Sequence, residues 1–232
     1  MGKFYESIIH VPDLQEPFSH PDAYAFLTAI KSEFWVNNKK SRCVNAGDEV
    51  DFHAFQQKYP QDPDGMSAGF ELEAAINRLK MLWDLFPEQD VCVSNHLIRP
   101  YITAFNCGLP RGFLREYAEL LQAPKSVFWR DHFVHNNITF EHGDAGQGGQ
   151  AAAINAAKAN GMSTAIGHVH AWAGVTWYAN RTKMIFGLNS GCLIDTKAYA
   201  FKYAMRNRSK VTMGASVILD CVPYFIPMLV DK

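Results

Sequence analysis

Apolar positions fall into short strand-like runs and helix-spaced stripes that alternate along most of the chain. Residues 5–11 form an apolar run closed by Pro12, which predicts a buried strand delivering Asp13 to the loop beyond it. Residues 20–38 carry Tyr24, Leu27, Ile30 and Phe34 three or four apart, the spacing of an amphipathic helix with Asp22 in its first turn. Residues 42–46 give a second strand that leads into Gly47-Asp48. Leu72, Ala75, Ile76, Leu79, Leu82, Trp83 and Phe86 then make a helical stripe ended by Pro87. Further strands are expected over 90–94, 138–141 and 163–166, presenting Asn95-His96, His142 and Gly167-His168, with an alanine-rich helix starting near Gln150. A strand, a polar residue at its end and a helix thus recur, the rhythm of an α/β fold that holds ligands at its strand ends.

The rhythm changes twice. Over 97–137 short helical pieces are broken by Pro100, Pro110 and Pro124, with Arg99, Arg111, Arg115, Lys125 and Arg130 among aromatic residues, which predicts a small helical cap inserted between two site-bearing strands. After His170 the chain reads as β-rich, with strands expected over 175–179, 183–188, 192–194 and 211–219. With no repeat or flexible linker, residues 1–232 read as a single domain, long enough to bury a full core unaided.

Charge narrows the partners. Charged residues are 19% of the chain and the net charge is −1, so no broad basic face is expected and extended nucleic-acid binding is not favoured. Cys43, Cys92, Cys107, Cys192 and Cys221 are odd in number, lack CxxC spacing and mostly lie in apolar runs, as reduced core thiols do, which points to a cytoplasm. The first residues lack a signal-peptide apolar stretch, Glu6 breaks the myristoylation pattern, and no run approaches about 18 apolar residues, so no membrane association is expected.

The candidate chemistry lies in Asp13-Leu14-Gln15, Gly47-Asp48-Glu49-Val50-Asp51, Asn95-His96, His142-Gly143 and Gly167-His168-Val169-His170, in that order. Oxygen and imidazole donors at successive strand ends suit divalent ions, and two ions about 3.5–4 Å apart need a bridging carboxylate, for which Asp48 is the candidate. Singly, each residue has an ordinary reading. Asp13 would be a turn former, Asn95 a turn residue, His168 and His170 a surface pair, and the arginines after position 97 solvated charges. Their joint order is what defeats those readings. His10, His20, His53, His132 and His135 read as solvated or capping groups.

That order resembles the calcineurin-like metallophosphoesterases, whose pattern runs D-x-H, G-D-x-x-D, G-N-H-[DE], H, G-H-x-H. The resemblance spans about the first 195 residues and looks most like the small phosphoesterases of phages and prophages, over 47–63, 141–149 and 167–195. It implies a four-layer α/β/β/α sandwich with a small helical cap, in a cytoplasm that is the host's if a phage encodes the chain. It also implies that Asp13, Gln15, Asp48 and His170 hold one divalent ion and that Asp48, Asn95, His142 and His168 hold a second. His96 would protonate the leaving oxygen, and Asp51 would stand behind the ligands. Apart from the resemblance, Arg99 lies three residues after His96, within reach of a substrate phosphate. Two carboxylates against two divalent ions leave +2, and a bridging hydroxide nucleophile lowers this to +1, a site that attracts phosphate. The implied function is a dinuclear phosphatase or phosphodiesterase acting on a small phosphorylated substrate, nucleotide or phosphoprotein. The alternatives are a metal-dependent DNA nuclease and a metal-free protein-binding scaffold.

Two departures matter. Gln15 stands where the family has histidine, and its harder, weaker amide oxygen favours Mn²⁺ or Mg²⁺ over Zn²⁺, with Fe or Ni²⁺ also open. Ser94 replaces a glycine and Leu97 an acid, so the turn before Asn95 must accept a Cβ and His96 lacks one orienting carboxylate.

Overall fold

Ile8 and Ile9 are adjacent in sequence and belong to different cores, because successive strand residues point to opposite faces. The computed structural model describes residues 4–56, 64–146, 148–198 and 210–230. Its elements run β1 (Ser7–Val11), α1 (Ala23–Phe34), β2 (Ser41–Asn45), α2 (Ala68–Leu85), β3 (Gln89–Cys92), α3 (Arg99–Asn106), α4 (Tyr117–Leu120), β4 (Val127–Arg130) and β5 (His132–His135). They continue with β6 (Ile138–Glu141), α5 (Ala152–Asn160), β7 (Ser163–Ile166), β8 (Gly174–Ala179), β9 (Met184–Asn189), β10 (Gly214–Leu219) and β11 (Val222–Pro227).

One sheet has the order β11-β10-β1-β2-β3-β4, the other β5-β6-β7-β9-β8. Strands β1 to β4 pair in parallel, as do β6, β7 and β9. Ile9, Val11, Cys43, Val91 and Val217 pack on Leu27, Ile30, Leu79 and Leu82 of α1 and α2. Ile8, Val44, Cys92 and Ile218 turn the other way and meet Phe133, Phe140, Ala165, Phe186 and Leu188 of the second sheet. On that sheet's far face Ile154 and Ala157 of α5 cover Ile185. The result is the four-layer α/β/β/α sandwich expected, and each fully buried Leu, Ile or Phe contributes about 1.5–3 kcal/mol.

The structure corrects the segment 97–137. Its helical pieces end at Leu120, while β4 and β5 belong to different sheets, so the chain crosses between the sheets at Asp131. Residues 127–135 are therefore part of the sandwich, and only the stretch before them is helical. The α1 helix is also shorter than 20–38, and 192–194 makes only isolated bridges. The unpredicted strand β11 contains Pro223 and Pro227, which a sheet tolerates at an edge position such as this one. His10 is fully buried between the sheets, with Nδ1 2.6 Å from Ser190 Oγ, and is not solvated. His135 is paired to Asp90 at 2.8 Å. All five cysteines are free, and Cys43, Cys92 and Cys192 are buried. Among the described residues no helix is long and apolar enough to cross a membrane. Of the stretches 47–63 and 141–149, residues 57–63 and 147 lie outside the described residues.

Candidate metal centre

Parallel strands place their C-terminal ends together, and both sheets do so on one side of the molecule. Asp13 follows β1, Asp48 follows β2, Asn95 follows β3, His142 follows β6, and His168 and His170 follow β7. The loops are tied to each other: Leu14 N and Gln15 N donate to Asp48 O at 3.1 and 2.7 Å, and Leu193 N donates to Asp13 O at 2.8 Å. Three of the candidate residues have left-handed backbone, Gln15 (φ 51°), Asp48 (φ 50°) and His168 (φ 63°). Non-glycine residues adopt it at a cost of about 1–3 kcal/mol, and such strain clusters at functional sites.

Two glycines make the approach of the loops workable. A Cβ on Gly167 would lie 2.2 Å from Asp13 Oδ1, and one on Gly47 (φ 96°) would lie 2.6 Å from Cys92 O and 3.1 Å from His142 Nδ1. Ser94 accepts its Cβ without entering the left-handed region, and its hydroxyl lies toward Asp48.

The donor atoms converge in two groups. Asp48, His142 and His168 each offer one ligand atom within 4.8 Å of the others, and so do Asp13, Asp48 and His170. Asp48 is common to both. Asn95 Oδ1 joins the first group, 2.9 Å from His142 Nε2. Gln15 joins the second, its Nε2 3.1 Å from Asp48 Oδ2.

This set fits divalent cations on its own chemistry. His142 Nδ1 donates to Ala46 O at 2.9 Å, so in the neutral ring Nε2 carries the lone pair. That lone pair faces Asn95 Oδ1 and, at 3.5 Å, Asp48 Oδ1, which are acceptors as well. Asp13 Oδ1 and Gln15 Oε1 are buried acceptors with no hydrogen-bond partner among the described residues. Buried acceptors that converge in this way are stabilised by a cation. Gln15 presents its amide nitrogen to Asp48 in this arrangement, and an exchange of amide oxygen and nitrogen would be needed for it to ligate.

Charges across the centre shift its titrations. Burial alone would push the Asp48 carboxyl up, but His142, His96 and the Ser94 hydroxyl hold it well below the usual carboxylate range. Burial lowers His142 and His170, yet Asp48 and Asp13 outweigh it at His142, and the hydrogen bond and charge of Asp13 outweigh it at His170, so both are raised. His168 is lowered by burial and by its neighbour His142.

His96 stands beside the ligands. Its Nε2 is 3.5 Å from Gln15 Nε2 and 3.7 Å from Asp48 Oδ2, while Nδ1 lies 2.7 Å from Asp51 Oδ1. Asp51 thus places a carboxylate against the ring where position 97 lacks an acid, and Leu97 is buried in the core instead. Arg99 Nη1 holds Asp51, and Nη2 is 2.8 Å from His96 Nε2. Sequence reasoning missed Glu71, whose carboxylate accepts from His53 N and Ala54 N at 2.6 and 2.8 Å and anchors the loop after Asp51. Its only signal was an acid in the first turn of a helix stripe. All nine expected residues, from Asp13 to His170 with His96 and Arg99, meet in one cluster.

No protein-family model and no curated protein matches the chain, and the narrower likeness to phage and prophage enzymes gains no support from these comparisons. Among solved structures, Vps29 of Chaetomium thermophilum aligns with 11% identity and a TM-score of 0.41, over 91% of this chain and 83% of that one. A protein put forward as a diadenosine tetraphosphatase aligns with 12% identity and a TM-score of 0.40, over 98% of this chain and 96% of that one. Likeness at that level leaves the functional reading to the side chains themselves.

Proposed function

We propose that this protein is a phosphoesterase that works with two divalent ions, held by Asp13, Gln15, Asp48 and His170 and by Asp48, Asn95, His142 and His168. The observation that carries the reading is the pair of Asp/His groups sharing Asp48. Once bound, such ions neutralise charge on a phosphoryl group and make a water-derived nucleophile available at neutral pH. The oxygen-rich donor set favours Mn²⁺.

The remaining roles belong to the chain. Ala46 O fixes the His142 tautomer, and His168 N orients Asp13 through its Oδ2 at 2.9 Å. Asp51 lies 2.7 Å from Nδ1 of the His96 ring, whose Nε2 faces the centre, and once protonated the ring can pass its Nε2 proton to the leaving oxygen. The near-neutral net charge supports a small phosphorylated molecule, a nucleotide or a phosphoprotein as substrate rather than extended nucleic acid.

The test is an assay of metal-stripped protein, with and without added Mn²⁺, on p-nitrophenyl phosphate, bis(p-nitrophenyl) phosphate and single- and double-stranded DNA. Ester hydrolysis that needs Mn²⁺ and disappears in Asp48→Asn is expected. Hydrolysis that survives stripping, or cleavage of DNA alone, would overturn the reading.

A further inference from the structure

Arg99 opens α3 and turns its guanidinium back over the centre. Nη1 donates to the Asp51 carbonyl at 2.8 Å and to Asp51 Oδ1 at 3.1 Å, which braces the group from one side. Nη2 stands 2.8 Å from His96 Nε2. A guanidinium can only donate, so Nε2 accepts and the proton of the neutral imidazole sits on Nδ1, which lies 2.7 Å from Asp51 Oδ1 without hydrogen-bond geometry to it. The His96 atom that faces Gln15 and Asp48 is therefore covered by a cationic side chain. These three contacts leave two of the five guanidinium N–H groups without a partner among the described residues, and the side chain keeps 22% exposure. A residue that served only to tie α3 to the Asp51 loop would have no reason to cover Nε2.

We propose that Arg99 is the phosphate-recognition group of this centre and that it selects phosphomonoesters over diesters. Docking of the substrate transfers Nη2 from His96 to a phosphoryl oxygen and leaves Nε2 uncovered. A monoester carries nearly two charges at neutral pH and has three free oxygens, enough for two ions and a planar fork. A diester has one charge and two free oxygens, so contacts to two ions leave none for Arg99. The inference rests on the phosphoesterase reading above.

The test uses Mn²⁺-loaded wild type, Arg99→Gln and Arg99→Lys. Calorimetry gives the affinity for inorganic phosphate, steady-state kinetics give KM and kcat for p-nitrophenyl phosphate and bis(p-nitrophenyl) phosphate, and metal analysis gives the Mn²⁺ content. Arg99→Gln should weaken phosphate binding and raise the monoester KM roughly 10- to 100-fold, the loss of charge-assisted hydrogen bonds, with Mn²⁺ content unchanged. Diester turnover should change far less, and Arg99→Lys should recover part of the monoester loss because it restores charge without the fork. Equal losses on both esters, or unchanged phosphate affinity, would overturn the proposal and leave the phosphoesterase reading standing. Wild type that binds no Mn²⁺ and cleaves neither ester would remove both. Should Arg99→Gln not fold, Arg99→Lys decides alone: a monoester-specific rise in KM supports the proposal, and wild-type kinetics on both esters overturn it.

Discussion

Replacing Gly167 by alanine puts a methyl group where the Asp13 carboxylate already lies. The new Cβ would be 2.2 Å from Asp13 Oδ1, 3.3 Å from Asp13 Cγ and 2.8 Å from Ala46 Cβ. Non-bonded carbon contacts are about 3.5–4.0 Å, so Asp13 must retreat by roughly 1 Å. It has nowhere to go: Asp13 is fully buried, and its Oδ2 is held by His168 N and lies 2.9 Å from His170 Nε2. Overpacking of this kind costs about 1–3 kcal/mol, which for a chain of this length lowers Tm by roughly 2–12 °C. The larger effect should fall on the ion held by Asp13, because its ligand set loses its geometry. Thermal unfolding and Mn²⁺ titration calorimetry measure both effects. Gly69→Ala in α2 is the control, since its Cβ meets nothing within 4 Å and alanine should stabilise the helix by up to about 1 kcal/mol. Gly167→Ala with the wild-type Tm and the full Mn²⁺ complement would refute the reasoning.

Two further expectations concern pH. Burial holds His10 neutral, with its pKa down at about 3, so the unfolded chain takes up a proton near pH 6.5 that the folded chain refuses. That contribution is intact above pH 6.5 and is lost toward pH 3 at about 1.4 kcal/mol per pH unit; His10→Gln should flatten the fall in urea midpoint between pH 7 and 5, and an unchanged slope would contradict this. In the metal-free protein Asp13 and Asp48 raise His142 and His170 against burial, so cations must displace protons from both rings. Mn²⁺ affinity should weaken as pH falls from 8 to 6, by up to about tenfold per unit for each proton displaced, and calorimetry showing pH-independent affinity without proton release would contradict it.

The strands that carry the centre were legible because each ends in a polar residue that breaks an apolar run, as Asp13 does after Val11 and Asn95 does before Leu97. The site order was legible for the same reason. What the sequence hid depends on distance along the chain. Asp51 reaches His96 from 45 positions upstream. The Ala46 carbonyl that sets the His142 tautomer has no side-chain signature at all. His10 misled because a histidine in a strand looks polar, whereas between two sheets it is buried neutral against Ser190. The cap was overextended because prolines and arginines over 97–137 drew attention from the alternating residues 127–135. The β11 strand was masked by its own prolines.

The central claim is that Asp48 joins two cation positions, and metal stoichiometry tests it most directly. Protein stripped of metal, reconstituted with Mn²⁺ and passed through a desalting column should retain two ions per chain in the wild type, and Asp48→Asn, at the shared carboxylate, should lose most of both. Fewer than one ion per chain in the wild type, or an Asp48→Asn protein that keeps both, would contradict the account.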